Sequence, residues 1–401
     1  MKFFRDERGQ ATILVGMCIA SLCGMAALSV DVGMLFRTKR ILQNAADAGA
    51  IAASMEKPYN DYVAAANAAA AQNGATNGVN GVTVTVNPQS GSRMEVIVTQ
   101  VAPTYFMKAF HLNTMNVSAR AVAGLGPGAG CIFTLNQSGV DVGLSGNGNL
   151  SMPDCGVVID SQSAKALTLT GNSSISAKYI GIVGNYSDSS NSPNSLVPIP
   201  VTGVAPASDP LSFVSPPVFN PASCLADPHP NPSNGQIVTI GPSIAGGTIC
   251  YNGLSVSGSG TVNMNPGLYI INGGFSSSGS SSLNGTSVTA YLAAPNGSLS
   301  LTGSGPMNLT APTDPSNPYN GLLFYQDPND TNNMKLTGSA GSSIAGIFYA
   351  PSASLSLAGA TGSIFYANMV VNTLSISGNN NLQNYSKVNA NTPLTSPRLV
   401  E

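Results

Sequence analysis

Residues 11–30, ATILVGMCIASLCGMAALSV, carry no charge and no proline. As a helix the run spans roughly 30 Å, the thickness of a bilayer's hydrocarbon core, and it reads as a transmembrane segment. Asp31 ends it, and Leu35, Arg37, Lys39, Leu42, Asn44, Asp47 and Ile51 continue an amphipathic helix. Pro58 is the first strong breaker, so residues 9–54 predict one rod on the order of 65–70 Å long. Everything after it is delivered to one side of a membrane.

Residues 1–10 form a short leader with Lys2, Arg5 and Arg8 against Asp6 and Glu7. The excess of basic residues leaves it in the cytoplasm. Arg37, Lys39 and Arg40 follow on the other side, so orientation rests more on the cysteines and the composition. Gly24-Met25-Ala26 offers small residues for a signal peptidase, but the apolar run is longer than a secretory signal needs, and a retained anchor is expected. Lipidation at Cys18 or Cys23 would need a small residue just before them, where Met17 and Leu22 stand.

Only 8% of residues are charged and the net charge is −2, which excludes nucleic acid as a partner. Low charge here does not mean disorder, since 43% of the residues are apolar. With 44 glycines, 27 prolines and no tryptophan, the composition suits turns and short strands more than a helical enzyme core. Cys18 and Cys23, within the apolar run, are read as small buried apolar residues. Cys131, Cys155, Cys224 and Cys250 lie in the exported part and are disulfide candidates. They allow three pairings, of which the sequence-local one, Cys131–Cys155 with Cys224–Cys250, is expected.

The string ERGQATI, the helix end ALSVDVGMLFRTKR and the segment LQNAADAGAIAAS together resemble the N-terminus of TadE/TadG-like Tad (Flp-type) pilus-assembly proteins. The resemblance covers residues 7–54. Those proteins share a basic leader, Gly-Gln or Gly-Asn before the helix, and an Asp-x-Gly near its outer end. One departure is informative: cleaved prepilins carry a glutamate five residues after the glycine, and here Leu14 takes that place after Gly9. The resemblance therefore implies an unprocessed, membrane-anchored member, with the membrane and pilus or secretion-system proteins as partners.

Pro58 suits the first turn of a second, alanine-rich helix over 59–72. Residues 82–86 and 94–98 alternate as a hairpin around Asn87-Pro88-Gln89-Ser90-Gly91-Ser92, residues 105–112 look helical, and 115–122 alternate as a third strand. A long helix under a small antiparallel sheet is a pilin-like α+β arrangement for residues 31–123. Residues 124–130, GLGPGAG, read as a flexible Gly-rich linker.

From Cys131 the chain repeats a unit of an aliphatic residue, Ser/Thr/Ala and glycine, as at Leu144, Leu169, Val256, Leu301, Leu336, Leu357 and Ile376. Spacings of roughly 20–35 residues are those of solenoids. Residues 131–401 are therefore expected to form a mainly-β parallel β-solenoid, with an antiparallel β-sandwich as the alternative. A proline-rich insertion over 186–237 interrupts the repeats, and its prolines lack ladder donors, so it is read as an extended loop wrapping the solenoid.

Chemistry is sparse. Asp327, Asn329 and Asp330 form the one dense polar knot, a weak metal candidate read first as a solvated turn. His111 and His229 are the only histidines and lack ligand-spaced neighbours. Tyr269, Phe275, Phe324, Tyr325, Phe348 and Tyr349 suit either a sugar-binding face or the interior of the rungs, the latter being the commoner use of aromatics. No catalytic or cofactor-binding residue is assigned and no cofactor is expected. The leading expectation is a non-enzymatic envelope protein of Tad/Flp pilus assembly. It would be single-pass in the inner membrane with its bulk extracytoplasmic, and its solenoid would form an interaction or adhesive surface, with surface glycans as a further partner. A carbohydrate-active β-helix enzyme and a self-assembling structural solenoid are the alternatives.

Overall fold

The computed structural model describes residues 8–57, 61–89, 93–127, 130–204, 206–360, 362–379, 381–389 and 394–399. The expected leader (1–7), the breaker Pro58, the hairpin turn 90–92 and linker residues 128–129 lie outside them. The chain forms two compact units, Met1–Gly126 with Ser396–Glu401, and Pro127–Thr395.

In the first unit α1 (Arg8–Glu56) is one unbroken helix of 49 residues. Its first half is long and apolar enough to cross a membrane, and its residues 13–30 are almost wholly exposed, Cys18 and Cys23 included, contrary to the buried positions expected of them. Ser21 and Ser29 donate their hydroxyls back to the carbonyls of Met17 and Met25, each at 2.8 Å, so neither polar group is left to an apolar surrounding. The second half is built differently. Leu42, Ala45, Ala46, Ala50 and Ala53 are fully buried against Ala66 and Ala70 of α2 (Tyr62–Gln72) and against the sheet. A Cβ at Gly49 would lie 3.3 Å from both the Ala66 carbonyl and Val96, which marks how closely the helices and sheet approach.

The sheet joins β1 (Val82–Pro88), β2 (Arg93–Pro103) and β3 (Thr114–Pro127) antiparallel, and Thr395–Leu399 adds a fourth strand beside β3. Register pairs Val84 with Val98 and Val96 with Ala121, so one face turns Met94, Val96, Val98, Ala119, Ala121 and Ala123 onto the helices. Two expectations fail here. Residues 124–127 are strand, not linker, because β2 still pairs with Gly124 through Arg93. The expected helix over 105–112 is only a 3₁₀ turn, Met107–Phe110, which His111 ends in the left-handed conformation at φ 62°.

The second unit is a parallel β-solenoid of about eleven turns, with parallel pairings throughout its described 24-stranded sheet. That pattern sets aside the sandwich. Each turn has three faces. One runs through Gly247–Asn252, Gly267–Ile271, Val288–Leu292 and Leu322–Gln326. A second runs through Leu254–Val256, Gly274–Ser277, Ser298–Leu301 and Met334–Thr337. The third holds Thr261–Met264, Ser282–Gly285 and Met307–Thr310. The aliphatic residue of the sequence repeat is the inward position of the second face: Leu301, Leu336, Leu357, Ile376, Leu144 and Leu169 fall in one register column. Glycine is needed at the corner beside it, where a Cβ on Gly171 (φ +73°) would lie 2.7 Å from the Gly146 carbonyl.

The stack does not follow chain order. Gly130–Thr134 pairs with residues 369–371, so the first turn in sequence stacks on the last. From that middle position the chain winds to one end at Val201–Thr202, returns outside the stack, and restarts at the other end with Leu225–Ala226 and Ile237–Ile240. It then winds back to the middle. The proline-rich stretch is therefore shorter than expected. Tyr186–Ser190, Leu196–Val197 and Val201–Thr202 still pair with the stack, with Pro193, Pro198 and Pro200 falling between them, where no ladder donor is missed.

Residues 203–204 and 206–224 belong to the return strap, and its contacts retrace the stack. Val204 N donates to Ile182 O at 3.3 Å, Ala207 N to Asp160 Oδ1 at 2.9 Å, Tyr349 Oη to Asp209 Oδ2 at 2.8 Å and Tyr325 Oη to Val214 O at 2.9 Å. Phe219 meets the Tyr291 ring edge-on at 6.4 Å. Cys224 is then paired with Cys250, Cα–Cα 4.6 Å, while Cys131 is paired with Cys155, Cα–Cα 5.8 Å. The covered stretch is on the order of 40 Å at the usual strand spacing, well within the reach of an extended segment of this length. Cys224→Ser with Cys250→Ser is expected to lower the unfolding free energy by about 3.5 kcal/mol on the loop-closure estimate. Chemical denaturation of the double variant against the parent checks it.

Candidate functional site

The polar knot of the solenoid is a lock between turns. Asp327 Oδ1 accepts from Asn329 N at 2.8 Å and Asn329 Nδ2 at 3.0 Å, and its Oδ2 accepts the Tyr291 hydroxyl. Asp330 Oδ2 accepts Gly297 N at 2.6 Å, and its Oδ1 accepts Asn332 N at 2.8 Å and Asn332 Nδ2 at 2.7 Å. Asn332 Nδ2 also reaches Pro295 O, and Gln326 Nε2 bridges Gly297 O and Asn332 O. All four carboxylate oxygens are engaged: Asp330 Oδ2, with Gln326 and Asn332, joins 295–297 to 326–332, Asp327 Oδ2 reaches Tyr291, and the two Oδ1 atoms close local turns on Asn329 and Asn332. Among the described residues no group of three or more His, Cys, Asp and Glu is arranged to hold a metal ion. His229 is exposed with Nε2 3.6 Å from Asp227 Oδ2, and His111 is exposed at the end of the 3₁₀ turn.

The aromatic candidates are all buried. Phe275, Phe324 and Phe348 stack inside the rungs, at 6.5 and 5.2 Å between centroids. Tyr291, Tyr325 and Tyr349 form the neighbouring column in register, so by strand alternation they project outward, at 5.1 and 5.2 Å spacing. The strap covers them, and burial pushes the Tyr291 and Tyr325 hydroxyls well above their ordinary range. They are closed to a sugar.

The first unit holds an arrangement that sequence reading noted only as a boundary. Asp31 is buried, and its carboxylate accepts three successive backbone amides across the fold: Tyr105 N at 2.9 Å on Oδ1, then Phe106 N at 2.9 Å and Met107 N at 2.6 Å on Oδ2. Desolvation pushes this carboxyl up, but the three amides and the Lys108 charge together outweigh it and hold it below the ordinary range. It therefore stays ionised and bonded at neutral pH, and protonation releases it only in acid. Residues 104–113, between β2 and β3, are closed at their base by Thr104 N to Asn113 O at 3.1 Å and by the Thr104 hydroxyl on Leu112 O. No spacing rule joins Asp31 to residues so distant in sequence.

Beside this clamp an open groove of about 350 Å³ runs between α1 and β3, lined by Val32, Leu35, Phe36 and Lys39 on one side and Met115 and Val117 on the other. Lys39 Nζ donates to Ser118 O across its floor, and Gln43 Nε2 donates to Arg120 O at 3.0 Å one turn further on. The lining is mostly apolar, with the Lys39 amine engaged on Ser118 O. Asp31→Asn leaves a weaker, uncharged acceptor, and amide exchange at Tyr105, Phe106 and Met107 is expected to accelerate by roughly tenfold or more. Hydrogen-exchange mass spectrometry or NMR reads this directly.

One buried acid in the solenoid responds to pH. Asp141 Oδ2 accepts the Thr134 hydroxyl at 2.8 Å and Ser161 N at 3.3 Å, while Oδ1 is buried without a partner. Burial, with a contribution from the Asp160 charge, pushes its carboxyl up to about 7. Between the ordinary 3.8 and about 7 the folded state keeps a proton that the unfolded state has released. Stability is thus full below this window and falls as pH rises through it, by up to about 4 kcal/mol. Asp141→Asn is expected to flatten that slope, as denaturation midpoints across the window would reveal.

Residues 9–73 match the Tad family, described as putative Flp pilus-assembly TadE/G-like. The match takes in α2 and nearly all of α1, including Asp31. No curated protein and no solved structure matches the chain.

Proposed function

We propose that this chain is a single-pass membrane component of Tad (Flp-type) pilus assembly. In this reading residues 1–10 face the cytoplasm, 11–30 cross the inner membrane, and the rest lies on the extracytoplasmic side. The observation that carries it is the division of α1, an apolar uncovered half running without a break into a half packed under α2 and the sheet, within the segment that matches the family. A helix made in this way holds the α+β unit directly above a bilayer. Residues 31–123 then act as a pilin-like part, and the groove along Leu35 and Phe36 is where a pilus or secretion component would seat.

The solenoid is the exported surface for interaction or adhesion. Two cysteine pairs suit an oxidising compartment. The outward column of the second face is mostly hydroxyl, Ser255, Ser276, Ser300, Lys335, Ser356 and Ser375 in register, which solvates the sheet with little charge and offers hydrogen bonds to surface glycans. The role is read as structural and non-enzymatic, because the acids nearest to a catalytic pair, Asp327 and Asp330, are engaged in holding turns together.

Fractionation of the tagged full-length protein from its native host tests the reading. The expected result is an intact N-terminus in the inner membrane, with residues 131–401 protected from protease until the outer envelope is opened. A species trimmed near Gly9 or Ala26 and recovered from sheared surface material overturns it in favour of a processed subunit or released protein.

A further inference from the structure

Residues 104–113 expose an unusual amount of apolar surface for a short connection. Tyr105 is 53% exposed, Phe106 50%, Phe110 79% and Leu112 49%. The segment is ordered all the same. Asp31 clamps three of its amides, Thr104 closes its base, and Leu112 N returns to Met107 O at 3.2 Å around the 3₁₀ turn. A loop held this firmly with its aromatic side chains outside is built to present them.

The clamp also sets the height at which they are presented. Asp31 directly follows the last residue of the uncharged run, so its hydrogen bonds place Tyr105, Phe106 and Met107 at the level where α1 leaves the hydrocarbon. On α1 Phe36 is 70% accessible, and Arg37 and Arg40 follow within the next turn. Residues 104–120 contain no acid, while Lys108 lies with Nζ 5.9 Å from the Tyr105 ring centroid. Aromatic rings backed by a long cation, with the Asp31 carboxylate buried on backbone amides, are the chemistry of a membrane interface, where rings sit at headgroup depth and lysine reaches phosphate.

We propose that residues 104–113 are a second membrane contact, lying in the phospholipid headgroup layer of the leaflet from which α1 emerges. Phe106, Phe110 and Leu112 reach the acyl boundary and Lys108 meets lipid phosphate. The inference rests on the reading of α1 as a membrane span and extends it. The unit is fixed to the bilayer at two points, and Asp31 joins them.

The absence of tryptophan from the chain makes the test direct, since one introduced indole is the only one present. Full-length Phe110→Trp, Leu22→Trp and Val218→Trp are each reconstituted in phosphatidylethanolamine–phosphatidylglycerol vesicles. The vesicles contain lipids brominated either near the carbonyl end or near the methyl end of the acyl chain. Phe110 is mostly exposed, so the change disturbs no core, and Val218, on the strap, is fully exposed and serves as the aqueous control. The Phe110→Trp indole is expected to lose roughly half of its emission to the shallow bromines and much less to the deep ones, as befits the headgroup–acyl boundary. Leu22→Trp is expected to be quenched by the deep set and Val218→Trp by neither. If Leu22→Trp is quenched while Phe110→Trp is not, whether its indole is open to aqueous iodide or shielded by a protein neighbour, the loop proposal falls and the anchor stands. If Leu22→Trp escapes both sets, the anchor reading falls, and the proposal falls with it.

Discussion

A parallel rung has two open edges and too little interior to bury itself, and the whole second unit is arranged around that need for neighbours on both sides. The chain begins its solenoid in the middle, at residues 130–134, so its first rung is incomplete until residues 364–383 return to lie beneath it. Met369 pairs with Ile132 only after nearly the entire remaining sequence has been wound. The rungs before and after that junction can grow by adding to a formed edge, but the junction itself joins distant segments, the kind of contact that carries the largest closure entropy.

The strap follows from the same topology. Having wound to one end, the chain must travel back to the other, and it does so over the one face whose outer side is apolar enough to need covering. Tyrosine is suited to that column: its ring meets that of the next turn edge-on or tilted, at 5.1 and 5.2 Å between centroids, while its hydroxyl needs a partner beyond the strand. On the strap, Val214 O and Asp209 provide those partners to Tyr325 and Tyr349, while Tyr291 finds Asp327 in the next turn of the solenoid and meets the strap through Phe219. Phenylalanine takes the inward column one residue away at Phe324 and Phe348, while Tyr269 in the same column donates its hydroxyl to Ile240 O and Asn265 O. The Cys224–Cys250 pair then holds the far end of the strap at the rung where inward winding restarts.

Much of this is written locally and was legible. The alternation that places Leu301, Leu336 and Leu357 inside has a period of two, and the glycine beside each marks a corner, so a solenoid follows from short windows alone. The order of the rungs does not follow, because every rung presents the same pattern to either neighbour and nothing in Leu374 says that Val142 will lie next to it. Proline density announced a segment outside the ladder, yet its limits were set by which short strands between prolines could still pair. The aromatics were ambiguous for a related reason. Tyr325 and Phe324 are adjacent, and only the presence of a covering strap decides that both are buried, on opposite sides of one strand.

Asp31 was visible as the end of an apolar run but not as a clamp, and its position explains why an acid belongs there. A buried carboxylate beside a long apolar stretch is costly unless its charge is met by donors, and residues 105–107 meet it with three backbone amides, which the carboxylate in turn fixes in one arrangement. Each side thus satisfies a need of the other. The helix leaves the apolar stretch without a break, and the connection between β2 and β3 is fixed to it at that level without any intervening linker. A helix and a sheet joined only by their core, through Leu42 and the alanines beyond, would leave the stretch from residue 31 to residue 41 as an unsupported stalk. With the clamp at its lower end and Lys39 on Ser118 along its length, that stretch is held from both ends, and the orientation of the unit about the helix axis is set.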